Sequence, residues 1–169
     1  MTKRFFTVLL SVFFVNLSVS IRPAHADATR TIGPGGDYTT LKAAFDAINA
    51  GSITGAITLQ LTGSTTETAS AVLNASGSGS AAYTSVIVYP TASGLSISGN
   101  LSTPLIDFNG ADHVIVDGRV NATGFATDLT IVNTRSNNDN QSTIRFTNDA
   151  TYNTVKYCVI RGSAYRDNS

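Results

Sequence analysis

The chain is short of the residues on which most recognisable enzyme chemistry depends. Its 169 residues include no tryptophan, one cysteine, one methionine and two histidines. Cys158 has no second cysteine to pair with, so no internal disulfide braces the fold. With neither histidine nor a lysine-rich setting around it, the thiol reads as packed and inert. His25 falls within a leader segment, which leaves His113 as the one histidine of the mature chain. A histidine-based metal cluster or a Ser-His-Asp triad has no spare parts to be built from, and no cofactor or metal is expected. Charge is balanced, with 11 Lys and Arg against 11 Asp and Glu. A nucleic-acid or anionic-membrane partner calls for a basic patch, which this composition does not supply.

The first residues form a targeting segment. Lys3 and Arg4 make a positive start, Phe5 to Val19 is an almost unbroken apolar run, and Ala24-His25-Ala26 is a small-x-small cleavage site. Residues 1–26 therefore read as a signal peptide, with Asp27 the first mature residue. The apolar run is short of the ~20 residues a spanning helix needs, so no membrane span is expected after cleavage. The protein is expected to be secreted or held on a bacterial cell surface. Loss of the leader leaves eight basic and eleven acidic residues, a mature net charge of −3. Ten of the acids are Asp and only Glu67 is Glu, while Ser, Thr, Asn and Gly crowd the chain, which is turn and strand chemistry.

What remains is long enough for one domain with a core. Residues 27–55 read as a turn followed by one amphipathic helix, since Leu41, Ala44, Phe45 and Ile48 fall at i, i+3, i+4 and i+7. Asp37, Thr39 or Thr40 is placed to cap its start, and Gly51 to supply a left-handed residue past its end. Residues 56–169 change to short runs rich in Ile, Val, Leu and Thr, closed by Gly, Asn, Asp or Pro. The strand candidates are residues 56–61, 85–89, 95–98, 105–108, 113–116, 129–132, 143–146 and 154–157. Runs such as Val-Ile-Val suit strands hidden on both faces.

A weak internal repeat runs through these strands. Ile106 and Phe108 match Ile144 and Phe146 at an offset of 38, and Val114 matches Val155 at an offset of 41, with residues 129–132 between the two pairs. Residues 86–89 stand before 95–98 as 113–116 stand before 129–132. Three strands and then the first again is the cadence of a solenoid, so the expected fold is all-β, a right-handed parallel β-helix with an N-terminal capping helix. A β-sandwich of short strands stays open on strand spacing alone. Asn109, Asn133 and Asn148 follow strands, where they either mark turns or stack side chain on side chain from layer to layer. The helix reads as a lid over the apolar end and unpaired backbone of the first layer.

The segment IGPGGDYTTLKAAFDAINAG resembles the entry segment of right-handed parallel β-helix proteins of the pectin-lyase-like class, especially pectinesterases. The runs TTETASAVLNASGSGSAAYTSVIVYP and LIDFNGADHVIVDG are similar to the N-terminal repeat region of large secreted surface proteins of Bacteroidetes-type bacteria. The resemblance covers about residues 30 to 163 and implies a fold rather than an activity. Pectinesterases would show a Val-Asp-Phe-Ile-Phe-Gly-like strand and a second Asp near a Gln-Ala motif, and neither is present. Val155 to Ile160 reads as a strand, and the few residues after it do not supply another layer or an obvious cap. An open edge is expected there, able to pair with another chain or with missing layers, as in the front part of a longer protein.

Chemistry is thin. GPGG at residues 33–36 precedes a helix, yet it is neither a dinucleotide nor a P-loop motif and reads as a tight turn. Polysaccharide-cleaving β-helices use paired carboxylates, or a calcium site of several Asp with an Arg or Lys base. Asp107, Asp112, Asp117 and Asp149 with Arg119, Arg145, Lys156 and Arg161 are the available parts. The repeat places Asp107 under Arg145 on the outer face, a surface ion pair and a weak candidate for glycan contact. Asp117-Gly118-Arg119 reads as a turn. Asn74, Asn100, Asn121 and Asn140 begin glycosylation acceptor patterns, and six tyrosines would stack on sugars if they shared one exposed face. The expected function is that of an exported, non-catalytic segment of a cell-surface protein, a scaffold, adhesion or glycan-contacting part with polysaccharide as its partner. The alternative is the front of a polysaccharide lyase, hydrolase or esterase whose catalytic layers lie elsewhere.

Overall fold

A computed structural model describes residues 27–136 and 141–162. The signal-peptide reading of residues 1–26, the acceptor pattern at Asn140 and the last residues, including Tyr165, lie outside the described residues.

The order of elements is β1 (Ala28–Ile32), α1 (Leu41–Asn49), β2 (Gly55–Leu61), β3 (Thr65–Glu67), β4 (Ala71–Asn74), β5 (Tyr83–Pro90), β6 (Leu95–Gly99), β7 (Ile106–Asn109), β8 (Val114–Asp117), β9 (Leu129–Asn133), β10 (Ile144–Thr147), β11 (Thr154–Lys156) and β12 (Cys158–Gly162). The protein is mostly β, and every ladder between these strands is parallel. Three sheets form, in the orders β1-β2-β5-β8-β11, β10-β7-β4 and β12-β9-β6-β3. From β2 onward each strand pairs with the third strand after it. Ladders of this kind do not make an immunoglobulin-like sandwich, which is antiparallel.

Side-chain alternation explains why the strands stack in register. Ile57, Val86 and Val114 are aligned and buried, as are Leu59, Val88 and Val116. Leu73 and Phe108 form another buried column, and Phe146, 48% exposed, continues it in β10 with its ring centroid 5.1 Å from that of Phe108. Each fully buried Leu, Ile or Phe contributes about 1.5–3 kcal/mol relative to exposure, so these columns supply the main driving force.

The helix has the apolar face its spacing predicts: Leu41, Ala44, Phe45 and Ile48 are buried. Thr40 is the N-cap, its hydroxyl accepting Ala43 N–H at 3.1 Å, and Gly51 takes φ +71° beyond the C-terminus. The helix lies along the free edge of β4. Asn49 acts there as a surrogate strand residue, donating from Nδ2 to Val72 O at 2.8 Å and accepting Asn74 N–H at 3.0 Å.

Several boundaries differ from the sequence reading. The stretch before the helix contains β1, which pairs with β2. The repeat at offset 38 matches the β7–β10 register, but Val155 pairs with Val116 rather than Val114, so the second offset is 39. A slip of two residues leaves inward and outward faces unchanged, which is why pattern matching does not detect it. The run 155–160 is two strands, broken at Tyr157, whose φ of 52° turns the chain.

Candidate functional site

The GPGG segment is a tight turn. Gly36 N–H donates to Gly33 O at 3.0 Å, and Gly33, at φ +130°, lies so close to Gly63 that an added Cβ would sit 2.7 Å from its nitrogen. Asp37 closes the turn by accepting Thr31 N–H and Thr31 Oγ1–H, each at 2.8 Å. The helix N-terminus offers no free cradle for phosphate, because the buried Glu67 carboxylate accepts Leu41 and Lys42 N–H at 3.0 Å each. Thr65 Oγ1 donates to the same carboxylate at 2.9 Å. Sequence reasoning noted Glu67 only as the sole Glu. The signal that would have found it is an acid at the end of a polar strand, facing a helix start.

Asp107 and Arg145 do meet. Their strands are paired in register, and the guanidinium donates from Nε at 3.1 Å and from Nη2 at 2.7 Å. Asp107 is buried and Arg145 half-exposed, so the carboxylate is occupied and the outer part of the guanidinium faces water. Asp112 is equally committed, accepting Thr151 N–H at 2.6 Å and its hydroxyl at 2.7 Å. These bonds, the hydroxyl's first, hold its carboxyl below the ordinary value. Asp149 lies in the turn after β10 at φ 60°.

A further cluster was not evident from spacing. Asp117, read as a turn residue, is almost wholly buried and accepts Arg119 Nε at 2.9 Å and Nη2 at 2.6 Å, while Lys156 Nζ stands 3.4 Å away. Lys156 is there because β11 pairs with β8 and sets it against Asp117. The Arg119 hydrogen bond is the main cause of the lowered Asp117 pKa. The same guanidinium lies over the Tyr157 ring, 4.5 Å from its centroid.

The asparagines divide. Asn109 Nδ2 donates to Asn74 Oδ1 at 2.8 Å, and Asn148 Nδ2 donates to Asn109 Oδ1, a ladder of three amides joined by two hydrogen bonds. Asn133 stands apart: it is buried, accepts Leu101 N–H at 3.0 Å, and donates to the carbonyls of Leu101, Thr103 and Ser142. Asn74 is taken up by the ladder, whereas Asn100 and Asn121 are exposed. The described tyrosines do not form one row. Tyr83 is buried and donates to Asn74 O at 2.6 Å, burial pushing its hydroxyl up to about 12, while Tyr152 is exposed and stacks on His113 at 5.1 Å.

Among the described residues no three His, Cys, Asp or Glu side chains converge as a metal site would require. Among the described residues no helix is long and apolar enough to cross a membrane. What the arrangement can do chemically is present hydroxyl, amide, cationic and aromatic groups on rigid outer faces. Compared with family models, with curated proteins and with solved structures, the chain finds no match.

Proposed function

We propose that the chain is an exported, non-catalytic right-handed parallel β-helix, a scaffold or glycan-contacting segment of a cell-surface protein of the Bacteroidetes-type kind its sequence resembles. One observation carries the reading: after visiting the other two sheets, the chain returns so that each strand from β5 onward pairs in parallel register with the third strand before it. Stacked units of this kind bury a continuous core and leave extended, regular outer surfaces, which repeat proteins use for binding. A right-handed path follows from the strong handedness preference of parallel connections.

The commitments of the acids favour a non-catalytic role. Asp107, Asp112 and Asp117 each hold a structural partner, whereas a general acid or base must be free to exchange a proton with substrate. Export rests on the leader pattern of residues 1–26. The test is to express the full chain with its leader, fractionate the cells, and incubate the purified mature chain with plant and bacterial polysaccharides. Surface or medium localisation with polysaccharide retention and no product is expected. Release of unsaturated sugar or methanol would overturn the non-catalytic reading, and cytoplasmic retention would overturn export.

A further inference from the structure

We propose that the outer corner made by Arg119, Phe125, Lys156 and Tyr157 binds polysaccharide bearing acidic groups, either carboxylate or sulfate ester. This rests on the glycan-contacting reading above and assigns it a place and a ligand charge.

The corner exists because two equivalent turns differ in length. Between β11 and β12 the chain turns on Tyr157 alone, whereas between β8 and β9 it makes an excursion over residues 118–128. That excursion is closed at its base, where Asp128 N–H donates to Gly118 O at 2.8 Å. Ser93 Oγ donates to Asp128 Oδ1 at 2.6 Å, and Arg119 Nη1 reaches across to Gly124 O at 3.1 Å. Compact surface loops with joined ends are frequently functional, because a rigid base fixes what the tip presents. Here the tip presents Phe125, 89% exposed. Arg119 links the two rings' positions, since its guanidinium lies over the Tyr157 ring, 40% exposed, and donates to the carbonyl of Gly124, which precedes Phe125.

Charge supplies the second half. Asp117 is matched by Arg119 through two side-chain hydrogen bonds, and Lys156 is a second cation on the same carboxylate, with its side chain 39% exposed. The three groups together carry +1 within a mature chain of −3. Asp128, the other acid of the loop, is directed to Ser93. Aromatic rings pack on the apolar C–H faces of pyranose rings, and an ammonium beside them favours a sugar with an anionic substituent over a neutral one. An acidic peptide would satisfy the ammonium but has no reason to prefer two exposed rings.

The experiment measures binding of the mature chain to alginate, dextran sulfate, dextran and polyglutamate by affinity electrophoresis and calorimetry. Alginate or dextran sulfate is expected to bind and dextran and polyglutamate not; which of the first two binds identifies carboxylate or sulfate. Phe125→Ala and Lys156→Gln are each expected to weaken binding about tenfold, with Arg30→Gln unchanged; Phe125→Ala, whose side chain is exposed, keeps the thermal midpoint, so its loss of binding is read apart from stability. Dextran binding as tight as alginate, or sensitivity to Arg145→Gln but not to Lys156→Gln, would overturn this site and leave the glycan-contacting reading standing. Polyglutamate binding as tight as alginate would overturn the polysaccharide assignment. Binding to none of the four would overturn both readings.

Discussion

The Glu67 carboxylate accepts the backbone N–H of Leu41 at 3.0 Å from 26 residues away, tying the first turn of α1 to the end of β3. A helix start leaves unpaired N–H groups, and a buried one must find partners. Glu67→Ala strips one buried and one part-buried N–H group of their acceptor and should cost about 2–3 kcal/mol, with Glu67→Gln at about 1–2 kcal/mol. Urea denaturation followed by circular dichroism measures both, and a loss below the scatter of surface substitutions would remove Glu67 from the account.

Asn133 should be the least tolerant asparagine. Its Nδ2 faces three carbonyl oxygens, so Asn133→Asp sets a carboxylate oxygen against them and buries an uncompensated charge. We expect about 3–5 kcal/mol for Asn133→Asp and less for Asn133→Ala, because the deletion leaves the carbonyls and Leu101 N–H unpaired but buries no charge. The same denaturation series reads the order, and Asp tolerated better than Ala would contradict it.

Acid should unfold the protein over a defined window. Asp117, held down chiefly by the Arg119 hydrogen bond, Asp112, by the Thr151 hydroxyl, and Asp37, by Thr31 N–H, all titrate below the ordinary 3.8 when folded. The unfolded chain therefore binds more protons as pH falls through that region. Their contribution is complete above the unfolded value and is lost as pH drops through the folded values. Urea midpoints should be flat from neutrality to about pH 5 and fall below about pH 4, less steeply in Asp117→Asn.

Gly118 is predicted to accept no side chain. A Cβ there would lie 1.9 Å from Tyr157 O, a backbone atom of the neighbouring turn. Gly118→Ala should cost at least ~2 kcal/mol and loosen β11 and β12, seen as faster amide exchange in residues 154–162. Unchanged exchange would place the two turns further apart than described.

Cys158 should react slowly. Burial, then the Asp117 charge, pushes its thiol up to about 11, so well under ~1% is thiolate at pH 8. Iodoacetamide labelling in native buffer should run far behind labelling in urea, and equal rates would contradict the burial.

The helix and most strands were legible because their burial is periodic and local: Leu41, Ala44, Phe45 and Ile48 on one face, Val86 and Val88 alternating in β5. β3 and β4 were not. Thr65 and Glu67 face inward because α1 covers them, and no local pattern marks a buried acid as core. The Asp107–Arg145 pair was legible through the repeat at offset 38, which is also the strand register. The Asp117, Arg119 and Lys156 cluster was hidden by the offset error of two residues and by the excursion 118–128, whose length no repeat predicts.

The central physical claim is that strands three apart are neighbours in parallel register. Thr66 and Ser98 face outward opposite each other in β3 and β6, with hydroxyl oxygens 3.3 Å apart. In a Cys158→Ser background, Thr66→Cys with Ser98→Cys should close a disulfide on mild oxidation. The control pair, Thr66→Cys with Thr130→Cys, joins positions that are not opposite and should stay reduced. Closure in the first protein alone is the predicted result; no closure there, or equal closure in both, would contradict the stacking.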